Sequence, residues 1–471
     1  MGVAYTSPGD NVRGGDFPRF PGGGSIGTGL MTGYGIAWYK VIEKQIKDRG
    51  IEIMFKSPAT ELIQHPTTKE ILGVKVKGEG RDKSIKARKG VVLCSGGFEF
   101  NEDMKKNYLR PTTIKFTGWI YNTGDGIKMA QAVGADLWHM NMIASAAYTI
   151  VTPESEMGWM YPEPKGSNFI LVSKYGQRFM KEVDWFAHRT IMGYSLWDWR
   201  GDRKDSEYPC CPHYMIFDET TRLAGAIGIN EKSMFTGMGN TVTPTWLGGY
   251  SSAWGETGAG WSDDNSAEIK KGWIQKADTI GALSEAIGGE MTADALTATV
   301  TRWNGFCDAG VDSDFGRTNA RGGAPGGAGG GPGGAGGAAG VPGGAQGGAA
   351  VGGASGGAQG SARGGSTPSG AAGAARGGGS FFPRNLEKIQ TPPFYAIELW
   401  PGGFSTCGGP KKNAKGQVLG VDEKPIRRLY EAGSLGDTCG QVYSMSGANY
   451  CEVFVWGRIS GRNVAALEPW S

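Results

Sequence analysis

KGVVLCSGGFEFN, residues 89–101, is the stretch on which the fold class turns. A short apolar run from Gly90 to Cys94 ends in the pair Gly96–Gly97, which reads as a buried strand running into a glycine turn. The neighbouring segments extend the same grammar. Upstream, IEIMF (51–55) is rich in Ile and predicts a strand, Thr60 to Gln64 starts a second, and ILGVKVKG (71–78) predicts a third with alternation at its end. Before them, Leu30 to Asp48 has the apolar spacing of an amphipathic helix that Arg49–Gly50 stops. Downstream, Asp125 to Gly134 is a helix stopping at glycine, RRLYEAGSLGD (427–437) is a second strand entering a glycine turn, and Ala448 to Ala466 is a closing helix. Strand, glycine turn and helix units mixed with meander strands imply an α/β domain.

The middle of the chain differs. From about Tyr148 to Ser380 it is rich in Trp and turn residues, with a helix expected over Thr292–Trp303. Within it, Gly322 to Gly379 is almost only Gly, Ala, Ser, Pro and Gln, with no aromatic residue. Such a composition does not repay the entropy of ordering, so it reads as a disordered insertion. A collagen-like rod is excluded because the strict Gly-X-Y period is absent. A compact domain tolerates the insertion because loop-closure cost rises only logarithmically with length.

Charge and cysteine content exclude several classes. Lys+Arg 48 against Asp+Glu 45 gives net +3 with no basic tract, which argues against a dedicated nucleic-acid binder. Seven cysteines without a CxxC pair support neither a disulfide framework nor a structural zinc site, so no metal is expected. No run of about 18 apolar residues predicts a membrane span, and the first residues lack the apolar core of a signal peptide. A cytoplasmic protein is the expectation.

Four segments in order carry a resemblance: SPATELI (57–63), KGVVLCSGGFEFN (89–101), NTGDGIKMAQAVGADL (122–137) and LYEAGSLGDTCGQVYSMSGANYCEVFVWGRISGRNVA (429–465). Together they resemble the FAD domain of the superfamily containing fumarate reductase, succinate dehydrogenase flavoprotein, urocanate reductase and 3-ketosteroid dehydrogenase. LVSKYGQRFMKE (171–182) resembles the start of that family's capping domain, and PPFYAIELWPGG (392–403) its return to the FAD domain. The implied fold is α/β: an FAD-binding Rossmann-like domain of the glutathione-reductase type, incomplete at its N-terminus, with an inserted α+β capping domain. Residues 1–150 and 391–471 would form the FAD-binding domain, and 151–390 the cap with its insertion at 322–379.

The resemblance implies FAD as cofactor and carries over Ala59, Ser95, Gly96, Gly97, Asp125, Gly433, Ser434, Ser446 and Asn449 as residues that bind it. Gly96 and Gly97 would let backbone approach the cofactor where no Cβ is tolerated. Asp125, between two glycines at a helix start, suits either a place beside the flavin or simple capping of helix N–H groups. The helix after Asn449 would aim its N–H groups at the flavin ring. Ser434 stands where the family usually has Glu. The family's first strand and phosphate loop would belong upstream of Met1, so these 471 residues alone are expected to hold FAD weakly or not at all. Gly22, Gly24 and Gly27 match G-x-G-x-x-G, but RGGDFPRFP precedes them and its two prolines deny the strand such a loop needs.

For the chemistry, the resemblance implies hydride exchange between FAD and a C=C or CH–CH bond next to a carbonyl, with a small-molecule substrate and an electron-donor protein as candidate partners. Arg189, shortly after Arg178-Phe179-x-x-Glu182, stands for the family's proton donor; a junction salt bridge is the plainer alternative, and His188 a donor with a more suitable pKa. Fumarate reductases grip two carboxylates with a His and an Arg where this chain has Ser405 and Tyr450. These neutral side chains argue against a dicarboxylate substrate. Tyr395, in PFYA, is a candidate to polarise a substrate carbonyl, or else a packed strand aromatic. Trp159, Tyr161, Trp185, Trp197 and Trp199 would suit a flat apolar substrate or a Trp-rich core. A 3-ketosteroid dehydrogenase is the alternative within the class, and a non-catalytic remnant or partner subunit the alternative outside it.

Overall fold

The computed structural model describes residues 5–6, 30–31, 34–78, 80–116, 119–151, 162, 164–182, 208–228, 261–317, 385–438 and 448–470. The insertion at 322–379 and the glycines at 22, 24 and 27 lie outside them.

A first unit is assembled from both ends of the chain. Tyr5–Thr6 (β1) pairs with Leu30–Met31 (β2), and helix α1 spans Tyr34–Asp48. An antiparallel meander follows: β3 (Ala59–Gln64), β4 (Ile71–Val76) and β5 (Lys83–Lys86). Strand β6 (Val91–Leu93) leads to helix α2 (Glu102–Tyr108), capped by the Asn101 side chain on the Met104 N–H. Strand β7 (Lys115–Phe116), helix α3 (Asp125–Ala132) and strand β8 (Leu137–Trp138) come next. The chain returns much later with β14 (Gly409–Pro410), β15 (Gln417–Leu419) and β16 (Pro425–Glu431). It closes on a helical run of α8 (Ala448–Cys451), a π-helical turn (Glu452–Trp456) and α9 (Gly457–Ala465). Strand β16 lies parallel to β6, which puts the two ends of the sequence in one sheet. The core beneath includes Leu62, Leu93, Phe98, Ile127, Val418, Leu429 and Leu435.

The strand expected at IEIMF does not form. Residues 51–58 have no regular secondary structure, and Ile51, Ile53 and Phe55 are 55%, 45% and 76% exposed. The run has strand propensity, but a strand also needs a partner's backbone, and no described residue supplies one.

A second unit is built on a six-stranded sheet. It comprises β9 (Ile143–Ile150), β10 (Phe169–Ser173), β11 (His213–Asp218), β12 (Ile274–Ala277) and β13 (Phe394–Thr406), with β7 joining β13 at its far end. Helix α4 (Glu219–Leu223) follows β11, α5 (Ser266–Lys270) precedes β12, and α6 (Ile280–Ile287) and α7 (Ala293–Ala309) cover one face. Alternate residues serve different cores. Phe169, Leu171, Met215, Phe217, Tyr395 and Ile397 face one cluster. Ile170, Val172, Tyr214, Ile216 and Ala396 face another with Leu296, Val300 and Trp303 of α7. Burial on both faces explains why FILVS and HYMIFD read as nearly continuous apolar runs.

Strand β13 joins the two units. Its first half pairs with β11 and β12, and its second half with β9 and β7, with register shifts at Gly402–Gly403 and Gly403–Ser405. Phe394–Leu399 therefore belongs to the second sheet, and the return to the first unit is completed only near Gly402.

The segment read as the start of the cap is anchored by buried ions. Arg178 donates to Glu182 (2.7 and 2.9 Å) and to Asp312 (3.1 and 2.9 Å). Arg317, fully buried, lies 3.6 Å from Glu182 and donates to the carbonyls of Phe169, Ser167 and Asn385. Both guanidinium groups lie over the Trp303 ring, at 4.7 and 4.8 Å.

Candidate functional site

The site starts from two neighbouring parallel strands. Val91, Val92 and Leu93 stand opposite Leu429, Tyr430 and Glu431, and the Ala432 N–H donates to the Leu93 carbonyl at 3.0 Å. The turns that follow, Cys94–Gly97 and Ala432–Ser434, thus leave the sheet side by side from carboxyl ends, the place where open parallel sheets bind ligands. Gly433 has φ +91°, and no described residue lies within 4 Å of where its Cβ would stand. Cys94 and Ser95 are exposed, and Ser434 is half-buried.

The glycine pair has a different reason from the one expected. A Cβ on Gly96 would meet Asn122 Oδ1 at 2.8 Å, and one on Gly97 would collide with Thr406 Oγ1. Protein neighbours alone already leave no room for side chains at these two positions. Asp125 also differs from its expected capping role. The N-cap of α3 is Gly124, in the left-handed region and without a side-chain cap bond, while Asp125 is the first helical residue. Its carboxylate accepts from the Thr123 hydroxyl at 3.1 Å. Ala59 opens β3, half-buried opposite Val76.

The end of β13 reaches this turn from the six-stranded sheet. The Phe98 N–H donates to Thr406 Oγ1 at 3.0 Å, and the Thr406 N–H donates to Glu99 Oε1 at 2.9 Å. Beside it, the Asn449 amide donates to the Ser405 hydroxyl at 2.9 Å. Strand end, glycine turn and closing helix meet here. Asn449 lies inside the first turn of α8, so the helix begins before it. Tyr450 is 50% exposed and stacks on Phe454.

Behind Gly433 sits a buried charged cluster. Lys412 lies 2.7 Å from Glu431 and 3.4 Å from Glu452, and donates to the Gly436 carbonyl at 2.6 Å. Glu452 also accepts from the Thr438 N–H at 3.0 Å. Burial holds the Glu431 carboxyl well above the usual carboxylate range, against the pull of Lys412. Glu99, Lys412 and Glu452 are absent from the sequence expectations. A single sequence does not distinguish a buried charge from a solvated one; Glu431, directly after Leu429–Tyr430 and before a glycine turn, is the one available sign.

The structure does not bring Tyr395 to this place. It pairs with Phe217 and Lys276 near the start of β13, stacks on Phe217 at 5.3 Å, and donates its hydroxyl to Glu219 at 2.6 Å. Ser405 lies ten residues further along the strand, which at about 3.3 Å per residue puts the two roughly 30 Å apart. Burial, then Glu219, raises the Tyr395 pKa. The placement is that of a packed strand aromatic. Arg189, His188 and Ser446 lie outside the described residues, as do Trp159, Tyr161, Trp185, Trp197 and Trp199. Among the described residues no cluster of three or more His, Cys, Asp or Glu could hold a metal ion, and no helix is long and apolar enough to cross a membrane.

Comparison with known proteins places this geometry. The chain is 25% identical over 454 residues to the 3-oxosteroid 1-dehydrogenase of Mycolicibacterium smegmatis, covering 94% of this chain and 64% of that protein. It is 26% identical over 408 residues to the digoxin reductase of Eggerthella lenta, covering 82% of this chain and 54% of that protein. The chain thus spans less than two thirds of the length of these relatives. Among solved structures it superposes on the 3-ketosteroid delta1-dehydrogenase from Sterolibacterium denitrificans in complex with 1,4-androstadiene-3,17-dione, with a TM-score of 0.61, 21% identity, and coverage of 90% of this chain and 62% of that one. That likeness speaks for the fold, the α/β fold of FAD-binding flavoenzymes. The family described as FAD binding domain matches residues 27–449, and the chain belongs to that family, whose cofactor is FAD.

Proposed function

We propose that this chain forms the flavin-facing and substrate-facing part of an oxidoreductase acting on a C=C or CH–CH bond next to a neutral carbonyl. FAD fits the residues present on one observation: at Gly433, at the carboxyl ends of β6 and β16, no described residue occupies the place where a side chain would stand, with Ser95 exposed on the neighbouring turn. Gly433, Ser95 and Ser434 would hold it. When bound, FAD supplies the hydride acceptor or donor.

The reading of the substrate rests on Ser405. Its hydroxyl accepts from Asn449 and so keeps its own proton free to donate toward a carbonyl oxygen, where charge builds during the reaction. Ser405 and Tyr450 carry no charge to match two carboxylates. The names of the two relatives speak of a 3-oxosteroid and of digoxin, neither a small dicarboxylate. A flat, neutral enone, steroids included, is the substrate class this supports. Arg189 or His188 supplies the second proton in this proposal, and an electron-exchanging protein partner completes the cycle.

The test is turnover by the FAD-loaded protein on a neutral enone beside fumarate. Fumarate should be slower by about 10² or more, the scale of a missing charge-stabilising donor. Comparable rates on both would sink the proposal.

A further inference from the structure

Lys412 is buried, and nothing in the proposed reaction uses it. It stands between β14 and β15 and is 4% exposed. Its ammonium touches both flanks of the Ala432–Ser434 turn. Before the turn it lies 2.7 Å from Glu431, the last residue of β16. After the turn it donates to the Gly436 carbonyl at 2.6 Å. On the closing helical run it lies 3.4 Å from Glu452 and 4.9 Å from the centre of the Trp456 ring. Those two residues reach the same turn. The Gly433 N–H donates to the Glu452 carbonyl at 3.2 Å, the Thr438 N–H to the Glu452 carboxylate at 3.0 Å, and the Trp456 indole N–H to the Thr438 hydroxyl at 3.2 Å.

A buried lysine that serves only to balance carboxylates needs no bond to an uncharged carbonyl. Here one of the three N–H bonds goes to Gly436, and it is shorter than the contact with Glu452. We propose that Lys412 is a positioning residue: its ammonium fastens both ends of the Ala432–Gly436 turn and so fixes Gly433 in the shape that receives FAD. Gly433 sits in the left-handed region at φ +91°, a conformation that a glycine leaves easily when nothing holds it. A turn already ordered on folding is not ordered again on binding, which raises affinity without a new contact. That this turn receives FAD rests on the function proposed above; its fastening by Lys412 does not.

Hydrogen exchange on the purified chain without FAD reads the fastening. In the wild type the Gly433 and Thr438 amides should be protected roughly a hundredfold or more over an unstructured peptide. Lys412→Met together with Glu431→Gln removes the ion pair as a unit, which buried sites tolerate better than a stranded charge, and takes the donor from Gly436. Protection over 432–438 should then fall by about tenfold to a hundredfold, the scale of one charge-assisted hydrogen bond, with β10 and β11 unchanged. Glu431→Gln alone keeps the Gly436 bond and should keep that protection. Titration of flavin fluorescence should follow the same order: FAD affinity falls in the double variant and holds in Glu431→Gln. Unprotected Gly433 and Thr438 amides in the wild type, or equal losses in the double variant and in Glu431→Gln, would overturn the proposal. If the turn loosens as expected while FAD affinity does not change, the placement of FAD at Gly433 fails and the fastening stands.

Discussion

The two ends of strand β13 obey opposite rules. At the Tyr395 end the strand is packed on both faces: the ring stacks on Phe217, the hydroxyl reaches Glu219, and alternate residues fill two cores. At the Ser405 end the register slips at Gly402 and Gly403, and no described residue stands within 4 Å of where a Cβ on nearby Gly433 would be. One strand thus passes from a scaffold packed on both faces into an irregular end beside the two glycine turns. Stability should respond to changes at the first end and chemistry to changes at the second.

The sharpest way to break this contrast is in the scaffold. Arg178→Met leaves the buried carboxylates of Glu182 and Asp312 short of their main partner and should cost about 3–5 kcal/mol in denaturant unfolding. A cost below 1 kcal/mol would show that the network is not what holds the cap start. Glu99 gives the next largest effect. Its pKa is about 7 in the folded protein against 4.5 for the free group, so the folded state keeps a proton that the unfolded chain has lost between those values. The stability it contributes is whole below pH 4.5, declines as pH rises through 7, and amounts to about 3 kcal/mol over that range. Unfolding measured from pH 4.5 to 8 should show a slope in the wild type that Glu99→Gln reduces by this amount, the buried Glu431 and Glu452 supplying the remainder.

Gly97→Ala sets a methyl group against Thr406 Oγ1 and should cost about 1–3 kcal/mol by forcing the joint apart. The thermal midpoint would check it. Tyr395→Phe removes one hydrogen bond, to Glu219, and should cost only about 1 kcal/mol.

The sequence made the local grammar legible. β6, β16, α3 and α7, the last capped by Thr292, formed close to where spacing and stop signals put them. What it hid were relations between distant residues. IEIMF had the residues of a strand but no backbone to pair with. Gly96–Gly97 looked like a ligand cradle because only the fold shows that Asn122 and Thr406 occupy that space. Tyr395 and Ser405 share a strand, and only its length, 13 residues in extended form, separates a packed aromatic from a site hydroxyl. Glu99 reads as an ordinary acidic residue in a turn until the end of β13 covers it.

Turnover of a neutral enone by the FAD-loaded protein, compared between Ser405→Ala and Tyr395→Phe, tests most directly where the chemistry lies. If the Ser405 end of β13 is the site, Ser405→Ala should lose about 10² in turnover, while Tyr395→Phe, roughly 30 Å along the strand, should stay near the wild type. A crippled Tyr395→Phe beside an active Ser405→Ala would contradict that placement.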